Sequence, residues 1–97
     1  MSDSRLTDET RWGLRCGQVQ IRQEQFGGLL YDMQRHILYE LNRTAFLAIR
    51  KMTQPVHLAD LVSAVLLYYP DQDVTQVRRD IAGLVSCLEE AGLVDRL

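Results

Sequence analysis

Two histidines and two cysteines are the side chains best suited to hold a metal or act as reactive thiols, and their spacing suits neither task. His36 falls in a turn between strands and His57 just before a helix. Neither has a Cys, Asp or Glu at metal-ligand spacing, so both read as inert and no metal is expected. Cys16 and Cys87 lie outside any CxxC or CxxH arrangement and read as free thiols, small side chains with the usual behaviour of buried unpaired cysteine. No nucleophile is paired with a base and no glycine-rich run could cradle a phosphate, so no catalytic residue and no cofactor are expected. What remains is the chemistry of the main chain, the N–H and C=O groups of a strand that lacks a neighbour. The stretch "RHILYELNRTAFLAIR", Arg35 to Arg50, offers one: it begins as a strand and passes directly into a helix.

The elements that would position this strand belong to one small domain. The chain has 97 residues, 46% hydrophobic and 25% charged, enough for a single core and not for a second domain. Eleven basic against 13 acidic residues leave a formal charge of -2, so no global basic field draws nucleic acid or an anionic membrane. The apolar run Leu61 to Tyr69 is too short to cross a bilayer, and the polar opening "MSDSRLTDETR" lacks the apolar segment of a signal peptide. A cytoplasmic protein is expected, in which the sequon-like "NRT" at Asn42 carries no glycan.

Residues 1–17 show no sustained period and read as a flexible N-terminal arm, with Trp12 and Leu14 as anchors at its end; the domain proper spans 18–97. "VQIR" (Val19 to Arg22), "LLYD" (Leu29 to Asp32) and "ILYEL" (Ile37 to Leu41) read as three strands joined by short loops, an antiparallel meander whose last strand lies on an edge. Period two puts Ile37, Tyr39 and Leu41 on one face and Leu38 with Glu40 on the other. Asn42 caps a first helix, Asn42 to Met52. A second runs from Leu58 to just before Pro70, and a third from the cap Asp73 to Gly92, with Val74, Val77, Ile81, Leu84, Val85 and Leu88 at helical spacing. The fold class is therefore α+β, a three-stranded antiparallel sheet followed by three helices packed on one face.

"LLYD" followed by "ELNRTAFLAI", then "VHLADLVSAVLLYYP" and "VTQVRRDIAGLVSCLEEAGLV", resemble the PqqD family in order, spacing and total length. These are small peptide-binding proteins of pyrroloquinoline quinone biosynthesis and their relatives, the recognition elements of ribosomally made, modified peptides. The segment "FGGLLYDMQRHILYELNRTA" is similar to the mycofactocin branch, whereas "RKMTQPVH" departs from the Asp-Gly turn of many relatives, and the arm before Val19 has no counterpart. The resemblance implies a winged-helix-like domain that holds the leader of a precursor peptide as an added strand, in a groove between the third strand and the third helix. It also implies a partner enzyme, a radical S-adenosylmethionine enzyme, that modifies the peptide.

On that basis Ile37, Leu38, Tyr39 and Glu40 are the pairing edge. A wheel of the third helix centres its apolar face on Ile81, with Arg78, Ala82, Val85 and Glu89 on one flank and Asp80, Leu84, Cys87 and Ala91 on the other. Sequence does not decide which flank borders the strand. The first is taken as the expectation: Ile81, Ala82 and Val85 line the groove, small Ala82 leaves room for a ligand side chain, and Arg78 meets an acidic leader residue. Leu67 points outward from the second helix and is the candidate docking contact for the enzyme. Homodimerisation through a free edge is the other use of such a strand.

A DNA-binding winged helix is the main rival, with Arg78 and Arg79 on a recognition helix. Charge opposes it, since the helix also carries Asp73, Asp80, Glu89 and Glu90, and Leu97 follows too soon for a strand-built wing. A structural interaction subunit is the second alternative.

Overall fold

Val19 and Ile21 alternate with exposed Gln20 and Arg22, and this period of two forms β2 (Val19–Glu24), the first strand of the meander. A computed structural model of the chain describes residues 10–97. β3 (Gly27–Asp32) follows through a two-residue turn, and β4 (Ile37–Asn42) after the turn at 33–36. All three pair antiparallel in the order β2-β3-β4, with Ile21 opposite Leu30 and Leu30 opposite Tyr39. The inner face thus carries Val19, Ile21, Leu30, Tyr39 and Leu41 toward the helices. Gly27, at φ +151°, lies where a Cβ would come within 2.3 Å of the Leu41 carbonyl oxygen, so glycine is what allows β4 to close on β3 there.

The turn between β3 and β4 is built around Asp32, whose side chain is fully buried. Its Oδ1 accepts the backbone N–H groups of Gln34 (3.0 Å) and Arg35 (3.2 Å) and the amide of Gln18 (3.4 Å). Arg35 adds an ion pair at 3.5 Å. Burial by itself raises the Asp32 carboxyl, but the two backbone donors, Gln18 and the Arg35 guanidinium outweigh it and hold it below the ordinary aspartate value. His36 completes the turn in the left-handed region, φ 60°, with Nδ1 2.9 Å from the Tyr31 hydroxyl.

β4 runs into α1 (Arg43–Ile49) without a loop. Asn42 makes this possible: its backbone is still extended while its Oδ1 accepts the Ala45 N–H at 2.8 Å. Phe46 then seats against β3 at Gly28, and after Ile49 a 3₁₀ turn at Arg50–Thr53 carries the helical stretch through Met52, where periodicity predicts a continuous helix. α2 (Leu58–Tyr68) buries Leu58, Leu61, Val62 and Val65. α3 (Val74–Glu90), capped by Asp73 onto Thr75 N–H at 3.2 Å, buries Val77, Ile81, Val85 and Leu88, and ends at Gly92 with φ +75°.

A second sheet is absent from the sequence-based expectation. β1 (Arg11–Leu14) lies between β5 (Val56–His57) and β6 (Val94–Arg96), antiparallel to both. Trp12, 1% exposed, belongs to the core, and Arg15 pairs with Asp95 at 2.8 Å. Of the expected arm, residues 1–9 lie outside the described residues, but Arg11–Leu14 are a sheet strand. Likewise the last residues do form a strand. Elements of two to four residues display no period, and the partners of these strands are remote in the chain, so neither leaves a local signal.

Candidate functional site

β4 is the end strand of its sheet, so on the side away from β3 its backbone meets no other strand among the described residues. In an antiparallel strand of six residues, alternate residues aim N–H and C=O outward, which leaves about three residues of donors and acceptors unmatched. The edge is not blunted by lysine, proline or a bulge, the usual protections. Instead Ile37 is 40% and Leu38 58% exposed, next to half-buried Tyr39 and exposed Glu40.

α3 stands alongside this edge. At one pole Asn42, Thr44 and Ala45 of the β4–α1 junction face Asp80, Ile81, Gly83, Leu84 and Cys87 across a cleft of about 360 Å3. At the other pole the Arg35 guanidinium reaches from the β3–β4 turn to the Ala91 carbonyl at the end of α3. The two elements match in length: Asp80 to Ala91 is about 16 Å of helix at ~1.5 Å per residue, and Ile37 to Asn42 about 16 Å of strand at ~3.3 Å per residue. The Asn42 end of β4 thus lies across the cleft from the middle of α3, and the turn before β4 is tied to the end of that helix by Arg35.

Ile37, Leu38, Tyr39 and Glu40 fall on the open edge. The helix residues are distributed differently from the expectation. The cleft lies on the flank of Asp80, Leu84 and Cys87, not on that of Arg78, Ala82 and Val85. Val85 is 0% and Ile81 1% exposed, so Val85 is core, and Ile81 borders the cleft while contributing almost no surface. Ala82 is half-buried and Arg78 exposed, both outside the cleft lining. Glu89, on their flank, accepts from Arg96 at 2.9 Å and so turns that side of the helix toward β6. The wheel could not decide this, because both flanks border the same apolar stripe and the second sheet fixes the rotation of the helix. Asp80, Leu84 and Cys87, on the flank that the sequence expectation did not choose, line the cleft together with Gly83.

Cys16 and Cys87 are free but exposed, contrary to the buried reading, and Cys87 faces the cleft. His57 donates Nδ1–H to the Thr10 carbonyl at 3.2 Å, while its own backbone N–H is held by Asp60 at 3.1 Å, so it ties β5 and α2 together. Among the described residues no group of His, Cys, Asp and Glu could hold a metal ion, and no helix is long and apolar enough to cross a membrane.

Leu67, 77% exposed, lies in a separate depression of about 450 Å3 with Arg50, Lys51, Val56 and Tyr68. Arg50 sits 5.6 Å from the Tyr68 ring centroid and donates to its hydroxyl at 3.1 Å. This depression shares no residue with the cleft beside β4.

Comparison with known proteins gives two matches. The family model of coenzyme PQQ synthesis protein D (PqqD) matches residues 27–94, from the start of β3 to the start of β6. A solved structure, lasso peptide synthetase B1 complexed with the leader peptide, is similar to this chain at 28% sequence identity and a TM-score of 0.69, covering 87% of this chain and 96% of that one. No curated protein matches.

Proposed function

This chain belongs to the PqqD family, and from that membership and the open edge of β4 we propose that it binds the leader segment of a ribosomally made precursor peptide as an added strand. The observation that carries the reading is the unpaired edge at Ile37–Asn42, which leads at Asn42 into an open cleft against α3. It is supported by the similar lasso peptide synthetase B1, which was solved with a leader peptide.

The energetics suit a carrier that must later release its cargo. Four or five backbone hydrogen bonds contribute ~0.5–1.5 kcal/mol each, and one or two leucine-sized side chains ~1.5–3 kcal/mol each. Ordering the peptide costs several kcal/mol, so the upper part of these ranges is what reaches the micromolar scale, about -8 kcal/mol. In this reading the chain performs no chemistry itself. It is a cytoplasmic accessory protein that presents the peptide to a separate modifying enzyme, for which the family resemblance favours a radical S-adenosylmethionine enzyme. The depression around Leu67 is the proposed docking face, since cargo and enzyme must be held together on different surfaces.

An NMR titration of the isotope-labelled full chain with the leader of the precursor encoded beside it tests the proposal. Amide shifts should centre on Ile37–Asn42 and on Asp80–Cys87. Shifts confined to α2, or none, would end the strand-addition reading, and edge shifts that follow protein concentration instead of peptide would assign the edge to a second copy of this chain.

A further inference from the structure

The charges around the cleft are not evenly distributed. At the Asn42 pole stand two carboxylates, Glu40 on the outward face of β4 and Asp80 at the mouth of the cleft. Asp80 accepts from the neutral Gln76 amide at 2.8 Å, which leaves its charge in place. At the opposite pole stand Arg35, held to Asp32 and Ala91, and His36. Between the poles the surface is apolar, with Leu84 on the inner side and Leu38 on the outer.

A strand added to β4 would continue the pleat of the sheet, so its side chains alternate between the cleft and the outer face in step with their β4 neighbours. The residue opposite Leu41 points inward at the level of Asp80, because Leu41 adjoins Asn42, which faces Asp80 across the cleft. Its neighbour, opposite Glu40, points outward and lies beside that carboxylate. One step further, opposite Tyr39, an inward side chain points away from Asp80 toward Leu84, which lies one helical turn further along α3. The next, opposite Leu38, lies outward against a leucine that is 58% exposed.

We infer that the cleft reads a four-residue pattern, two adjacent basic residues at the Asn42 pole followed by two adjacent apolar ones, and that this pattern fixes the register of the bound leader. The inference rests on the strand-addition reading proposed above and deepens it by naming the class of segment recognised. It reverses the charge that the Arg78 flank would have called for, since Asp80 and not Arg78 lines the cleft. Acidic segments are rejected here by two carboxylates at once, and a shift of one residue sets one side chain against an unlike neighbour, an apolar one beside Glu40 or a basic one beside Leu84.

A random peptide library displayed against the full chain supplies the probe. The enriched peptides should share basic-basic-apolar-apolar, in either chain direction. A synthetic representative and its twin with both basic residues changed to Glu are then compared by fluorescence anisotropy on the wild type, Asp80→Lys and Glu40→Lys. Both positions are exposed, so the variants should fold, which circular dichroism checks. The wild type should prefer the basic peptide by about tenfold, and Asp80→Lys should erase or invert that ratio. Enriched peptides without a basic bias, or an Asp80→Lys variant with the wild-type ratio, would overturn the register while leaving strand addition standing. If nothing is enriched, strand addition falls and the register with it.

Discussion

Leu38→Ala should weaken leader binding while leaving folding untouched. Leu38 projects from the outer face of β4 and is 58% exposed, so its removal takes little from the core. Fully burying a leucine-sized side chain is worth ~1.5–3 kcal/mol, and the share of Leu38 still open to solvent sets a ceiling of about 0.9–1.7 kcal/mol on what an added strand could gain there. That corresponds to about a five- to twentyfold increase in Kd. An added strand covers the side chain from one side, which places the expected loss in the lower half of that range. The contrast is Leu41, two strand positions on from Tyr39 and 7% exposed, where alanine should cost ~2–5 kcal/mol of folding stability. Fluorescence anisotropy of a labelled leader, run beside urea denaturation, separates the two effects. A Leu38→Ala protein that binds within twofold of wild type would show that no ligand covers the outer face. A fall in its urea midpoint comparable to that of Leu41→Ala would show that Leu38 supports the fold instead.

Three further outcomes are expected. Gly28→Ala places a Cβ 2.2 Å from Cδ1 of Phe46 and should cost ~1–3 kcal/mol by overpacking, read as a lower urea midpoint at unchanged slope; wild-type stability would mean that Phe46 and α1 can shift freely. Because the Asp32 carboxyl is lower in the folded chain than in the unfolded one, its contribution to stability is complete above the ordinary aspartate range and is lost as pH falls through the lowered folded value, below about pH 4. Asp32→Asn should flatten that part of the acid limb, and an acid limb identical to wild type would remove Asp32 as its source. Leu67→Asp should reduce co-purification of the modifying enzyme without altering leader affinity, and enzyme capture at wild-type strength would take Leu67 out of the docking face.

Much of the fold near the site is legible in the residues because the signals are local. Asn42 announces the passage from strand to helix, Asp73 and Gly92 bracket α3, and the alternation of Ile37 to Leu41 sorts the two faces of β4. The second sheet is not legible, since its ion pair joins residues as distant as Arg15 and Asp95 and its strands are too short for any period. The same gap leaves the rotation of α3 undecided. Helical spacing establishes that α3 has two flanks, but only packing against β6, through contacts such as Glu89 to Arg96, determines which one faces the cleft. The expectation of an acidic leader residue comes from the Arg78 flank, whereas Asp80 lines the cleft.

On the strand-addition proposal, the span of about 16 Å between the Asn42 cleft and the Arg35 tie to α3 limits how much of a guest can be inspected. About five residues fit in that span, and nothing in the arrangement asks anything of the sequence on either side. Such a short window behaves as a postal address, separable from the contents of the parcel. On the strand-addition proposal, a precursor could vary its modified portion freely, and an unrelated cargo fused to the same few residues should be bound as tightly as the original.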